Sequence, residues 1–115
     1  MKLRTFILGF GLILTAALVW SPGLIAQQGD AGAGKALYTK SCAGCHGAAG
    51  EPKAALAKVL QVEMRHLGSK EVLAKTDAEL RKDMLEGFGK MKPVKGLSDQ
   101  DVSSVIAYMR GFAEQ

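Results

Sequence analysis

The chain has few of the side chains from which a protein builds a metal site on its own. Among its 115 residues, only Cys42, Cys45, His46 and His66 are cysteine or histidine. A four-ligand zinc site would need all four, and Cys45 and His46 would have to bind together although they are adjacent. Zinc coordination is therefore arithmetically possible, but the spacing disfavours it.

A strand pattern is also missing. No segment alternates apolar and polar residues, and the chain has no internal repeats and no low-complexity stretch. Apolar residues instead recur at three- and four-residue spacing. The sequence therefore predicts an all-α fold of three to five helices, and it argues against the βαβ context in which a thioredoxin-like cysteine pair usually sits.

The N-terminus lacks charge over a long stretch. Lys2 and Arg4 precede an apolar run from Phe6 to Trp20, and a Ser-Pro-Gly break follows before Ala26. This order of basic, apolar and small residues is typical of a secretory signal peptide. We expect cleavage after Ala26 and a periplasmic or otherwise extracytoplasmic location for the rest of the chain.

A retained membrane anchor is the alternative for residues 1–26. A bilayer needs about 20 apolar residues, and the uncharged stretch is long enough to supply them. Pro22 and the shortness of the strongly apolar core favour a cleaved signal. Residues 27–115 then form the single functional domain, which contacts a membrane only if the N-terminal segment is retained.

Residues 27–115 have no large excess of basic or of acidic side chains. Removing Lys2 and Arg4 leaves 13 basic and 11 acidic side chains. This near balance, without a clustered basic face, excludes an obvious nucleic-acid-binding surface. A domain of about 89 residues is also small for a core made of protein alone.

The most informative feature is the sequence Cys42-Ala43-Gly44-Cys45-His46. C-x-x-C-H is the attachment pattern of c-type haem. The spacing lets both thiols form thioether bonds to one porphyrin edge, and a neutral His46 imidazole can then bind the iron axially. A simple disulfide in an exported protein remains the other alternative.

Two helices are predicted in the first half of the domain. Asp30 is a candidate N-cap for a helix that runs to about Lys40. Pro52 indicates a second helix start, followed by an apolar stripe at Leu56, Val59 and Leu60. Residues 61–70 show no clean period and are predicted as loop, with one helical turn at 71–75.

The second half begins with a capping box at Thr76 to Glu79. It opens a helix with Leu80, Met84 and Leu85 predicted to face inward, and Gly87 is its expected end. A loop over residues 87–96 follows. Ser98 then caps a last helix with an inward stripe composed of Val102, Val105, Ile106 and Met109.

The candidates for a second iron ligand are Met64, Met84, Met91, Met109 and His66. Met84 and Met109 fit apolar helix faces, and Met64 lies in an ambiguous segment. Met91 sits in a glycine- and lysine-rich loop where no apolar stripe explains it, so it is the predicted ligand. His66 is the alternative, which would give a bis-histidine haem of lower reduction potential.

The chain resembles the class I (monohaem) cytochromes c over nearly all of residues 30–115. Gly34, Tyr38 and the C-x-x-C-H motif match the first helix and haem site of that family, and Tyr108 matches the aromatic of its last helix. The spacing from Met91 to Tyr108 also resembles the family's spacing from its methionine ligand to that aromatic residue. The resemblance implies one covalent haem c, with Cys42, Cys45, His46 and Met91 as its binding residues.

Two further expectations come from the resemblance. Family members often use a proline carbonyl to accept a hydrogen bond from the proximal histidine, and Pro52 is the candidate here. They often place a tryptophan near a haem propionate, but the only tryptophan, Trp20, lies in the predicted signal peptide. Lys53, Lys58 and Arg65 are therefore the candidate propionate donors.

The predicted function is a single-electron carrier, not an enzyme, in which His46 and Met91 hold the iron. Redox partner proteins would meet an exposed haem edge near Cys42 and Cys45. Lysines that could steer an acidic partner to that edge are Lys40, Lys53, Lys90, Lys92 and Lys95. The alternatives are a non-diffusing haem subunit of a dehydrogenase or oxidase complex and an open-site haem enzyme or gas sensor.

Overall fold

The computed structural model describes residues 28–112, and the regular secondary structure of that part is helical. The predicted signal peptide lies outside the described residues. Two of the helices are single turns, and the four longer ones fall within the predicted number. The segments are α1 (Ala31–Ser41), α2 (Ala43–His46), α3 (Ala54–Leu60), α4 (Lys70–Leu73), α5 (Asp77–Glu86) and α6 (Asp99–Met109).

No strand occurs within residues 28–112; one isolated antiparallel bridge joins Phe88 to Met91. The all-α prediction is confirmed. Across the same residues, no helix combines the length and the apolar character that a bilayer crossing requires.

Helices α1 and α6 pack against each other with their backbones in contact. A Cβ atom at Gly34 would lie only 1.9 Å from the Ser104 carbonyl oxygen, so only glycine fits there. The Asp30 backbone N–H donates to Ser104 Oγ over 3.1 Å. The small residues of both helices therefore set their close approach.

The helix starts follow the predicted caps. The Asp30 carboxylate accepts from the Gly32 backbone N–H at 2.8 Å. Thr76 and Ser98 each form a complete capping box at the start of α5 and α6. These local hydrogen bonds satisfy backbone donors that have no partner inside a helix, which explains why the sequence marks these positions clearly.

The core lies between α1, α5 and α6. Its buried side chains are Tyr38, Leu80, Met84, Val102, Val105, Ile106 and Met109. The inward prediction for Leu85 is wrong, because that side chain is exposed. Leu85 lies about 100° around α5 from Met84, so it turns away from the face that meets α6.

The middle of the chain differs slightly from the prediction. Helix α3 begins at Ala54, and Pro52 precedes its N-cap Lys53 instead of occupying the first turn. The predicted loop after α3 is present, and the predicted turn appears as α4, one residue early.

Candidate functional site

The C-x-x-C-H motif forms the short helix α2, directly after α1. The Cys42 backbone N–H donates to the Tyr38 carbonyl at 2.8 Å, and the His46 N–H donates to the Cys42 carbonyl at 2.9 Å. The motif is therefore wound into one turn that continues from α1. This winding holds the Cys42, Cys45 and His46 backbones in a fixed relation to the core.

Tyr38 secures the end of this turn. Its hydroxyl donates to the Gly47 carbonyl at 2.8 Å and to the His46 carbonyl at 3.2 Å. The ring is fully buried and meets Tyr108 edge-on, with centroids 5.4 Å apart. Burial raises the pKa of Tyr38 well above its usual range, so the phenol remains a hydrogen-bond donor. Helix α6 thus supports the turn through aromatic contacts.

Phe112 completes this aromatic cluster, and sequence reasoning missed it. Its ring packs edge-on to Tyr38 at 5.1 Å and to Tyr108 at 5.0 Å. Phe112 follows α6 and belongs to no periodic apolar stripe. Its role becomes visible only in the folded chain, where the end of α6 lies beside α1.

A cavity of about 880 Å³ opens beside the motif, with Cys42, Cys45 and His46 on its wall. Its lining is mostly apolar and includes Leu56, Leu60 and other residues from every helix. The volume is at the upper end of the range for cofactor pockets, about 300–1,000 Å³. A large flat apolar group fits such a space.

His46 is suited to bind a metal as a neutral imidazole. Burial lowers its pKa, which favours the uncharged form that acts as a ligand. Its Nδ1 atom is buried and has no hydrogen-bond partner within the described residues. The expectation that the Pro52 carbonyl accepts from this histidine is therefore wrong in this structure, because Nδ1 reaches no acceptor.

The two cysteines differ in their surroundings. Cys42 is half-buried, and Cys45 is exposed at the cavity edge. Burial, with a smaller contribution from the nearby Cys45, raises the pKa of the Cys42 thiol to about 11. Within residues 28–112, no three cysteine, histidine or acidic side chains are grouped so that they could hold a metal ion. The zinc alternative therefore gains no support.

The loop after α5 presents Met91 to the same cavity. Phe88 and Met91 exchange two backbone hydrogen bonds of 3.0 and 2.9 Å. Gly87 has a φ of 87°, and a Cβ there would lie 2.7 Å from the Met91 carbonyl oxygen. Only glycine allows this turn, which sends the chain back on itself and holds Met91 close to the end of α5.

Of the other candidate ligands, Met64 lines the cavity as Met91 does, whereas Met84, Met109 and His66 are placed differently. Met64, Met84 and Met109 also line the cavity, but Met84 and Met109 are buried in the protein core. His66 does not line it. The His66 Nδ1 accepts from the Gly68 backbone N–H at 2.9 Å. The structure brings His46, Met64 and Met91 to one cavity and leaves His66 outside it.

Only some of the predicted cationic residues reach the site. Lys90 and Lys92 line the cavity, but Lys40, Lys53 and Lys95 do not. Of the candidate propionate donors, Arg65 lines the cavity, whereas Lys53 and Lys58 lie elsewhere.

Lys75 also lines the cavity, and sequence reasoning missed it. It pairs with Asp83 at 2.5 Å and lies 4.5 Å above the centre of the Phe88 ring. In the sequence, Lys75 and Asp83 are only two opposite charges eight residues apart. They come into contact because helix α5 brings Asp83 back toward Lys75.

Glu51 stabilises the loop that follows the motif. Its carboxylate accepts from the Ala48 and Ala49 backbone N–H groups at 3.1 and 2.7 Å. The pKa of Glu51 is lowered by backbone hydrogen bonds, first from its own N–H group and then from those of Ala49 and Ala48. Gly50 lies against Leu67 and Phe112, and its carbonyl accepts from the Leu67 N–H at 2.9 Å. The loop is therefore fixed at both ends.

Comparisons with known proteins agree with this geometry. Residues 31–113 match the sequence model of the family described as cytochrome c. Cytochrome c-554(547) of Halothiobacillus neapolitanus is 36% identical over 86 residues, covering 70% of this chain and 94% of that protein. Cytochrome c-555 of Chlorobaculum tepidum is 36% identical over 111 residues, covering 85% of this chain and 94% of that protein.

A solved structure is similar as well. The KustC0563 c-type cytochrome superposes with a TM-score of 0.60 at 30% sequence identity, covering 70% of this chain and 98% of that one. The helical fold, the C-x-x-C-H turn on a haem-sized cavity and these matches agree. The chain belongs to the cytochrome c family as a class I, monohaem c-type cytochrome, an electron carrier with a covalently bound haem.

Proposed function

We propose that this cytochrome is an exported single-electron carrier with His46 and Met91 as the two axial ligands of its iron. Cys42 and Cys45 provide the thioether bonds. The observation that carries the proposal is the meeting of two elements at one cavity: the C-x-x-C-H turn of α2 and the Met91 loop after α5.

The haem, when bound, supplies reversible one-electron chemistry between ferric and ferrous iron. The protein determines which state is favoured. His46 offers a neutral imidazole because burial lowers its pKa. Met91 offers a soft thioether, which favours the ferrous state and raises the reduction potential. The mostly apolar cavity wall acts in the same direction, because burial disfavours the extra positive charge of the ferric state.

A haem bound in this cavity would be reached from the outside at the cavity mouth. Cys45, Lys90 and Lys92 are exposed and line the cavity, so their side chains mark its rim. Partner proteins would exchange electrons across this rim in small, transient encounters. The protein would work in the periplasm or a comparable compartment after export through residues 1–26. A segment retained at the N-terminus would instead make it a tethered subunit, which the mass of the mature protein would show.

Replacing Met91 tests the ligand assignment. We expect Met91→Ala to expose the iron to carbon monoxide, because the thioether no longer occupies the sixth position, and to lower the reduction potential. Met64→Ala is the matched control, since Met64 lines the same cavity. The control should keep the spectrum and the potential.

The reverse result would contradict the assignment. If Met91→Ala kept a low-spin spectrum without carbon monoxide binding, and Met64→Ala lost it, Met64 would be the ligand. If neither variant changed, a bis-histidine haem with His66 would have to be tested by His66→Ala.

A further inference from the structure

Phe88 and Met91 form a tight turn that carries the proposed methionine ligand. The Phe88 N–H donates to the Met91 carbonyl at 3.0 Å, and the Met91 N–H donates to the Phe88 carbonyl at 2.9 Å. Only Gly89 and Lys90 lie between the two residues. A turn closed by two hydrogen bonds has little internal freedom, so the position of Phe88 determines the position of Met91.

The far end of the Met91 loop is attached to the core through the backbone. The Val94 N–H donates to the Met84 carbonyl at 2.8 Å, and Met84 is buried. The Phe88 side chain, at the near end, belongs neither to the buried core nor to the aromatic cluster around Tyr38. The contact that holds the Phe88 ring is therefore important for the turn.

The Lys75 ammonium group provides such a contact. Its Nζ atom lies 4.5 Å from the centroid of the Phe88 ring. A cation within about 6 Å of that point is attracted by the negative face of the ring. The same Nζ atom donates to Asp83 Oδ2 at 2.5 Å. Asp83 belongs to α5, so the ammonium group connects this helix to the turn that follows it.

The backbone of Lys75 is held in place as well. Its N–H donates to the Val72 carbonyl at 3.1 Å, and its carbonyl accepts from Arg110 Nη2 at 2.6 Å. Arg110 directly follows α6, and its Nη1 atom also donates to the Leu73 carbonyl at 2.7 Å. Lys75 is thus fixed at its N–H, its carbonyl and its ammonium group, which makes it a rigid support for the ring.

We propose that Lys75 is a positioning residue for the methionine ligand. Fixed by Asp83 and by its backbone hydrogen bonds, the ammonium group holds the Phe88 ring, and the ring holds the turn that carries Met91. The proposal rests on the ligation of the iron by Met91 proposed above. Lys75 acts through Phe88 and forms no bond to the iron.

Ligand exchange at the ferric haem measures how firmly Met91 is held. Added imidazole binds the iron when the methionine has left it, and the far-red band of methionine-bound iron then disappears. At about pH 8 imidazole is mostly neutral, so a change in the charge of the protein does not itself favour or hinder its entry.

The test variant is Lys75→Gln, which removes the ammonium group. The matched control is Lys82→Gln, which removes the same charge from α5. Lys82 is 70% exposed and lies 3.9 Å from Glu86, whereas the Lys75 side chain is 33% exposed. Lys82 has no contact with the Phe88 ring among the described residues.

We expect Lys75→Gln to bind imidazole about two- to fivefold more tightly than the wild type, the range that the loss of one cation–π contact implies. Lys82→Gln should bind it as the wild type does. Lys75→Arg should also resemble the wild type, because a guanidinium group keeps both the charge and the ring contact. In Lys75→Gln the amide hydrogens of Phe88 and Met91 should exchange faster with solvent, while those of α6 should be unchanged.

Phe88→Leu shows whether the two side chains act together. Leucine keeps an apolar side chain but lacks the aromatic face. We expect Phe88→Leu to bind imidazole as Lys75→Gln does, and the double variant to bind it no more tightly than either single variant. Effects that multiply in the double variant would overturn the proposal, because Lys75 would then act through another contact, such as a haem propionate.

Equal changes in Lys75→Gln and Lys82→Gln, or a change in neither, would also overturn the proposal. So would a Lys75→Gln variant that is less stable in urea but shows neither tighter imidazole binding nor faster amide exchange, because Lys75 would then only stabilise the fold.

The spectrum of the wild type separates this proposal from the one on which it rests. If the wild type has the far-red band and Lys75→Gln behaves like the control, the positioning role alone is refuted. If the wild type lacks the band, Met91 is not the ligand. The exchange of the Phe88 and Met91 amides then decides whether Lys75 holds the turn.

Discussion

The two sides of this cytochrome are held together by different means. On the α1–α6 side, helix backbones touch at Gly34, and the intervening side chains are fully buried. On the cavity side, apolar residues of the short helix α3 and of the Met91 loop, among them Leu60 and Phe88, line the cavity. Direct packing of protein against protein defines the first side, whereas the second is arranged around the haem.

Preventing haem attachment should have the largest effect, because it removes the packing partner of the cavity side. We expect Cys42→Ala/Cys45→Ala to carry no covalent haem and to lose most of its helical circular dichroism, since ligand binding and folding are linked. The control is Ala43→Ser/Gly44→Ala, which leaves both thiols and should mature normally, because a Cβ added at Gly44 would meet no atom within 4 Å. Full helicity in the haem-free variant would show that the fold does not depend on haem.

Widening the contact between α1 and α6 should have the next largest effect. Gly34→Ala places a Cβ 1.9 Å from a backbone oxygen that belongs to a packed helix and cannot simply move aside. We expect a loss of about 2–4 kcal/mol in the free energy of unfolding, measured by urea denaturation of the haem-bound protein. Gly32→Ala in the same helix meets only the Asp30 side chain, at 3.2 Å, and should change stability by less than about 1 kcal/mol. Similar losses in both variants would contradict the close-contact explanation.

Tyr38 joins the two sides, and removing its hydroxyl should have a moderate effect. Tyr38→Phe keeps the aromatic packing but leaves the Gly47 and His46 carbonyls without this donor. We expect a loss of about 1–2 kcal/mol. Tyr108→Phe is the control, because that ring packs in the same cluster while its hydroxyl has no part in these two hydrogen bonds. An equal loss for Tyr108→Phe would mean that the loss does not come from the two hydrogen bonds of Tyr38.

The smallest effect should come from Glu51 and should depend on pH. Its pKa is lowered in the folded protein from the usual 4.5 by backbone hydrogen bonds, so its ionised form stabilises the fold above that pH. The stabilisation is lost as the pH falls through the folded pKa. We expect Glu51→Gln to be slightly less stable than the wild type at pH 7, and we expect this difference to shrink as the pH falls below 4.5. A difference in unfolding free energy that stays constant over this range would exclude the charge as its cause.

The same division explains which features could be predicted from the sequence. Helix starts at Asp30, Thr76 and Ser98 depend on hydrogen bonds within three residues, so local patterns predicted them. The buried apolar stripe of α6 was also predicted, because apolar residues that recur with the 3.6-residue period of a helix lie on one face. The prediction that Leu85 faces inward was wrong. Met84 and Leu85 are adjacent apolar residues, and the local sequence does not show which of the two meets the core.

The site was predictable where its chemistry is encoded in short motifs. Cys42, Cys45 and His46 are contiguous, and Met91 stood out because its loop gave it no packing role. Lys75, Phe112 and the carboxylate of Glu51 were missed as contributors, because each acts through contacts that only the folded chain creates. The unpaired Nδ1 of His46 could not be foreseen either, since it depends on where the chain after Gly47 turns.

The absorption spectrum of the purified, exported protein tests the central claim most directly. With His46 and Met91 on the iron, the reduced protein should show sharp c-type bands, and the oxidised protein should show the weak far-red band of methionine bound to ferric iron. A haem spectrum without that band, or one that shifts readily with carbon monoxide, would contradict the assignment of Met91.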